Sequence, residues 1–131
     1  IIGMGGNIGT QTSTIIVRGL ATGRVNVGNN MKILLKEIRV GLILGLFYGI
    51  LLGLFTLTRF TDLSPNLGII VGLSITTSML IATTIGAFVP LFLSKLEIDP
   101  AVATGPLVTT SIDILGVTLY FLIASLFLPL A

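Results

Sequence analysis

Among the 131 residues there is no cysteine and no histidine, and only 9% carry a charge. Without cysteine there are no thiol nucleophiles and no disulfides, and the redox compartment leaves no trace. Without histidine there is no imidazole base, and the usual zinc and haem ligand sets cannot be assembled. Any metal ion must be met by oxygen, which suits hard cations such as Mg²⁺ or Ca²⁺. The shortage of charge is the most restrictive of these deficits. A typical globular domain is about 25% charged, and 53% of this chain is hydrophobic instead. So few charges cannot cover a water-facing surface. The composition is that of one all-α integral membrane domain over residues 1–131, a polytopic helix bundle in a lipid bilayer. The formal net charge is only +2, and no nucleic-acid partner is expected.

The opening Ile1-Ile2-Gly3-Met4 has neither an initiator methionine nor a basic leader. It reads as the middle of a hydrophobic helix, so the chain is expected to be truncated at its N-terminus. The charges then divide the rest. Val40 to Thr58 is uncharged and matches the ~20 residues that cross a bilayer. Leu67 to Leu93 is a second apolar run, long enough to span with tilt or with a kink near Gly86 or Pro90. A third extends from Pro100 to Ala131 and is interrupted only by Asp113. The opening stretch to about Val17 reads as most of another spanning helix.

The connection over residues 18–39 holds Arg18, Arg24, Lys32, Lys36 and Arg39 against a single acid, Glu37. That over 59–66 holds Arg59 and Asp62, and that over 94–100 holds Lys95, Glu97 and Asp99. The bias of basic residues places 18–39 and 94–100 in the cytoplasm, with 59–66 and the C-terminus outside, as in a multi-pass plasma-membrane protein. Met31, Leu34, Leu35 and Ile38 recur at helical spacing opposite Lys32, Lys36 and Arg39, with Asn30 positioned to cap. This predicts a short amphipathic helix lying at the interface before the next span. Gly41, Gly45, Gly49 and Gly53 line one face of that span, a pattern for close helix packing rather than chemistry.

Asp113 is the residue in the wrong solvent. Counted from Pro100 along one helix it lies ~20 Å in, near the bilayer midplane, where a carboxylate costs ~3 kcal/mol even on the lenient scale. No Lys or Arg lies at comparable depth, so a cation, water or protonation must offset the cost. Pro106, Thr109, Thr110, Asp113, Gly116 and Tyr120 share one helix side. Pro106 would also free a carbonyl one turn earlier to face ions or water. The bland alternative is a protonated Asp113 bonded to Thr109 or Thr110 within helix packing. The opening helix has a matching row, Gly6, Asn7, Thr10, Gln11, Thr14 and Arg18, which suits a hydrated cation path or polar contacts between helices. Asp99, just before Pro100, is positioned as an N-cap, as an acid attracting cations to a pore mouth, or as both.

Two of these stretches resemble the hallmarks of the MgtE family of Mg²⁺ channels. One is Gly5-Gly6-Asn7-Ile8-Gly9-Thr10-Gln11, continuing to Val17-Arg18-Gly19-Leu20. The other is Ile98-Asp99-Pro100-Ala101 with Gly105-Pro106-Leu107-Val108-Thr109-Thr110-Ser111-Ile112-Asp113-Ile114-Leu115-Gly116. Their order and separation also fit. The resemblance implies a homodimer with five transmembrane helices per subunit, of which this chain would lack the first. The pore would follow the dimer axis, lined by the family's second and fifth helices. Asp113 matches the family's pore aspartate, facing hydrated Mg²⁺ with its symmetry mate. Asn7, Thr10 and Thr109 match neighbouring pore positions, and Asp99 an acidic position at the cytoplasmic end. Larger members carry upstream cytosolic regulatory domains, and some relatives hold two such domains in one chain. The alternatives are an ion-coupled carrier of divalent cations in which Asp113 titrates, and a membrane subunit that only assembles with partners. An intramembrane enzyme is disfavoured, because no paired carboxylates, Ser–Lys pair or His cluster sits at membrane depth.

Overall fold

The computed structural model describes residues 2–25, 28, 30–60 and 66–127. They form helices α1 (Ile2–Ala21), α2 (Asn30–Arg59), α3 (Asn66–Lys95) and α4 (Pro106–Phe127), with a 3₁₀ segment at Pro100–Thr104. Three of these, α2, α3 and α4, are long and apolar enough to cross a membrane. The sequence suggests a fourth such segment in α1. That helix has the length, but its row of Gly, Asn, Thr and Gln lowers its apolarity. The expected outside connection at 59–66, Asp62 included, falls largely outside the described residues, as does the C-terminal end after Phe127.

α3 is the centre of the bundle, packed against α1, α2 and α4. Small residues make this possible. On α2 the row Gly41, Gly45, Gly49 and Gly53 is buried against α3. A Cβ added at Gly45 would stand 2.9 Å from the Thr76 carbonyl oxygen, one at Gly49 2.6 Å from that of Gly72, and one at Gly53 2.9 Å from that of Gly68. Real side chains do not approach so closely, so the backbone contact depends on glycine. Thr76 joins the two helices by donating its hydroxyl to Gly45 O at 3.0 Å and to its own helix at Gly72 O, 2.8 Å. The close-packing role expected of the four glycines is therefore observed.

α1 meets α3 in the same way. Gly5, Gly9, Thr12, Ser13 and Ile16 form its buried face, and a Cβ at Gly86 of α3 would lie 2.5 Å from Gly9 O. Two small apolar clusters close the contacts. One is Ala82, Val108 and Ile112 between α3 and α4. The other is Ile16, Ala87 and Leu91, covered by Ile33 and Leu34 of α2. Two residues beyond the end of α1 stands Gly23, whose φ of 69° suits glycine just past a helix C-terminus. Beyond the end of α3, Glu97 takes the same left-handed region, φ 59°, and Ile98 N donates back to Leu93 O at 3.0 Å.

Four local expectations are corrected. The amphipathic segment from Asn30 is not a separate helix lying at the interface. It is the first part of α2, continuous with the span over 30 residues. Met31 and Leu35 are exposed, and it is Ile33 and Leu34 that pack inward. Asn30 does not cap, because its Oδ1 is buried without a hydrogen-bond partner. Pro90 lies inside α3 without ending it, in keeping with the single apolar run expected over residues 67–93. Finally, the helix bearing Asp113 does not begin at Pro100. Asp99 and Pro100 start a five-residue 3₁₀ segment, Gly105 follows, and Pro106 starts α4. A proline at the first helical position gives up a donor that would have had no partner there. Pro106 therefore frees no interior carbonyl, and Gly105 O accepts from Val108 N at 3.2 Å and Thr109 N at 3.4 Å.

Candidate pore-lining face

Asp113 stands two turns into α4, ~10 Å along its axis from Pro106, rather than ~20 Å along one helix from Pro100. Its neighbours Val108, Ile112 and Gly116 are buried. Asp113 itself lies at the edge of that buried row and is half-buried. α1 and α4 are packed together, most closely where Gly5 and Gly9 meet Ile112, and Gly6 lies beside the carboxylate, where an added Cβ would sit 3.5 Å from Asp113 Oδ1. The absence of a side chain at Gly6 leaves one flank of the carboxylate open to backbone and solvent. Gly116, expected on the polar stripe, faces inward instead, and its Cβ position lies 3.4 Å from Ser78 Oγ of α3.

The polar row of α1 faces away from its packing face. Gly5, Gly9, Thr12 and Ser13 are turned into the bundle, while Asn7, Gln11, Thr14 and Arg18 are exposed and Gly6 and Thr10 are half-buried. The threonines donate inward: Thr10 Oγ1 to Gly6 O at 2.9 Å, and Thr14 Oγ1 to Thr10 O at 2.8 Å. Thr109 Oγ1 donates to Pro106 O at 3.3 Å. With the proton spent on the backbone, each hydroxyl oxygen keeps acceptor capacity for an outside donor or cation. Water held around a cation presents donors outward, so such a row matches a hydrated ion better than a bare anion. No hydrogen bond joins Asp113 to Thr109 or Thr110 among the described residues, which removes the contact required by the bland alternative.

The five candidate residues do not converge into one chelating cluster. Thr10 and Asp113 flank Gly6, Asn7 points outward from α1, and Thr109 lies one turn before Asp113. Asp99 stands apart on the 3₁₀ segment, exposed, where its Oδ1 accepts from Ala101 N at 2.9 Å. Its capping role is thus observed. No group of three or more acidic side chains able to hold a metal occurs among the described residues, so a dehydrated cation held by several carboxylates of one chain has no site here.

Two features escaped the sequence. Thr12, Ser13, Ser74, Ser78 and Thr83 are buried polar residues at the helix contacts, with Ser78 lying between Gly5 and Gly116. Glu37 is only 8% exposed. The signal for Glu37 was present, since it continues the 41-45-49-53 row one turn upstream and shares its inward direction.

A family model described as divalent cation transporter, MgtE, matches residues 1–123. The magnesium transporter MgtE of Thermus thermophilus is 38% identical over 128 residues, and that of Bacillus subtilis 34% identical over 128 residues. The alignments cover 98% of this chain and 28% of each relative, so the chain spans a little over a quarter of the curated proteins it matches. Both motifs lie inside the matched region, and the chain belongs to the MgtE family of divalent cation transporters.

Proposed function

We propose that this chain is the membrane pore region of a Mg²⁺ transporter, in which a second copy covers the polar row of α1 and the Asp113 edge of α4. The observation that carries it is the outward row Asn7, Gln11, Thr14 and Arg18 beside the Asp113 carboxylate, which has no ion pair among the described residues. Facing lipid, the amides of Asn7 and Gln11 and the Arg18 guanidinium would be unsatisfied in a medium without water, although Thr14 already donates to Thr10 O. Facing the same row of a second copy across a two-fold axis, they would line a hydrated path. The names of the relatives, all magnesium transporters, supply the ion.

Mg²⁺ sheds its water reluctantly and favours six oxygens in octahedral order. Neutral oxygens of Asn7, Thr10 and Thr109 would contact the ion's water shell, and two Asp113 carboxylates would balance its charge. Contact through water is weak enough for the ion to leave, as conduction requires. Asp99 would raise the local cation concentration at the end of the path on the side of residues 94–100, assigned to the cytoplasm by the charge pattern. Regulatory domains of the kind the resemblance implies would act on this region from outside it.

Growth of a strain lacking its own Mg²⁺ uptake tests the reading. The full-length protein should restore growth at low Mg²⁺, and D113A should not, although it reaches the membrane in equal amount. Growth restored equally by D113A would sink the assignment. Uptake that collapses with the proton gradient would identify a coupled carrier instead of a channel.

A further inference from the structure

Where α1 ends and α2 begins, a groove of 660 Å³ opens between the two helices and Thr22, Arg24 and Val25 after α1. Arg18, Arg24 and Lys36 stand around it, and all three are exposed. Its wall includes Ile15 and Ile33, and Glu37 contributes the buried carboxylate noted above. Among the described residues none of the three cations is held in an ion pair. The packing of the bundle uses neither these charges nor the space between them, and the pore face lies on another side of α1 except for Arg18.

We infer that this groove binds the headgroup of an anionic phospholipid. Three cations against one carboxylate leave an excess of two positive charges, which favours a phosphate without a compensating ammonium. The volume lies within the about 300–1,000 Å³ of sites that enclose drug-sized molecules, far more than inorganic phosphate fills. The apolar wall supplies the second half of the recognition. Ile15 is 56% exposed and stands one turn from Arg18, so a ligand bearing both phosphate and hydrocarbon matches the groove where a free anion matches only its rim. The position also fits: the groove lies at the ends of membrane-length helices, at the level where basic side chains meet lipid phosphates. Glu37 adds selectivity, since a carboxylate among cations accepts hydrogen bonds from headgroup hydroxyls and repels a headgroup carboxylate. A glycerol headgroup has the first and lacks the second.

Thermal unfolding of the full-length protein in detergent, titrated with phosphatidylglycerol, phosphatidylcholine or inorganic phosphate, tests this directly. Phosphatidylglycerol should raise the midpoint saturably, while the other two leave it unchanged. The R24Q/K36Q double variant should weaken the phosphatidylglycerol response by about thirty-fold in concentration, with an unaltered midpoint in phosphatidylcholine. Should the double variant unfold early, R24Q alone, in an exposed turn, should weaken the response about five-fold. Equal stabilisation by phosphatidylcholine overturns the proposal, as does an undiminished response in R24Q. Stabilisation by inorganic phosphate alone would make the groove a free-anion site and overturn the lipid assignment.

Discussion

At the scale of single residues, charge and capping separate cleanly at Asp99. Its Oδ1 holds Ala101 N at 2.9 Å, a bond asparagine can also make. D99N should therefore leave thermal stability within about 0.5 kcal/mol, whereas D99A should lose about 1 kcal/mol. If Asp99 also gathers cations, D99N should raise the Mg²⁺ concentration for half-maximal uptake several-fold with maximal uptake unchanged. An unaltered concentration dependence would reduce Asp99 to a cap. Asp113 has no such structural duty, since it neither caps a helix nor fills the core. Both carboxylates were legible in the sequence, because a charge inside or beside an apolar run stands out against its neighbours. The burial of Glu37 was legible only through its place one turn upstream of the glycine row, a signal that its basic surroundings mask.

At the scale of elements, the bundle is held by backbone approach more than by large side chains. The glycine row was legible because a spacing of four marks one helix face whatever lies opposite. G49A should destabilise the protein by about 1–3 kcal/mol, as its Cβ would meet Gly72 O at 2.6 Å. G3A, where nothing lies within 4 Å, should be neutral or stabilising by up to about 1 kcal/mol. Equal effects of the two on unfolding in detergent would contradict the packing described here. T76V removes the hydroxyl that joins α3 to Gly45 O and should cost about 0.6 kcal/mol by the same assay. The break between the 3₁₀ segment and α4 was not legible as such. Pro100 and Pro106 each suit a helix start, and local pattern alone does not decide which begins the long helix. The continuity of α2 through Asn30–Arg59 was hidden for a similar reason, since a change from amphipathic to uniformly apolar sequence resembles a boundary while the backbone continues through it.

At the scale of the whole molecule, one chain leaves two kinds of surface exposed. The outer side of α2 presents Leu42, Ile43, Phe47, Ile50 and Leu54, which suits acyl chains. The outer side of α1 presents Asn7, Gln11 and Thr14, which does not. The absence of cysteine in this chain makes the expected contact between copies easy to probe. N7C should cross-link one copy to another with a short bis-maleimide in membranes, and F47C should not; the opposite pattern would place the second copy against α2. The central proposal is that Asp113 supplies the charge facing a hydrated divalent cation between two such copies. Mg²⁺ flux into proteoliposomes bearing the full-length protein or D113N, at equal protein content and with the dimer verified, tests it most directly. Loss of the carboxylate charge should reduce the flux by about ten- to a hundredfold while the dimer persists. Undiminished flux through dimeric D113N would contradict it.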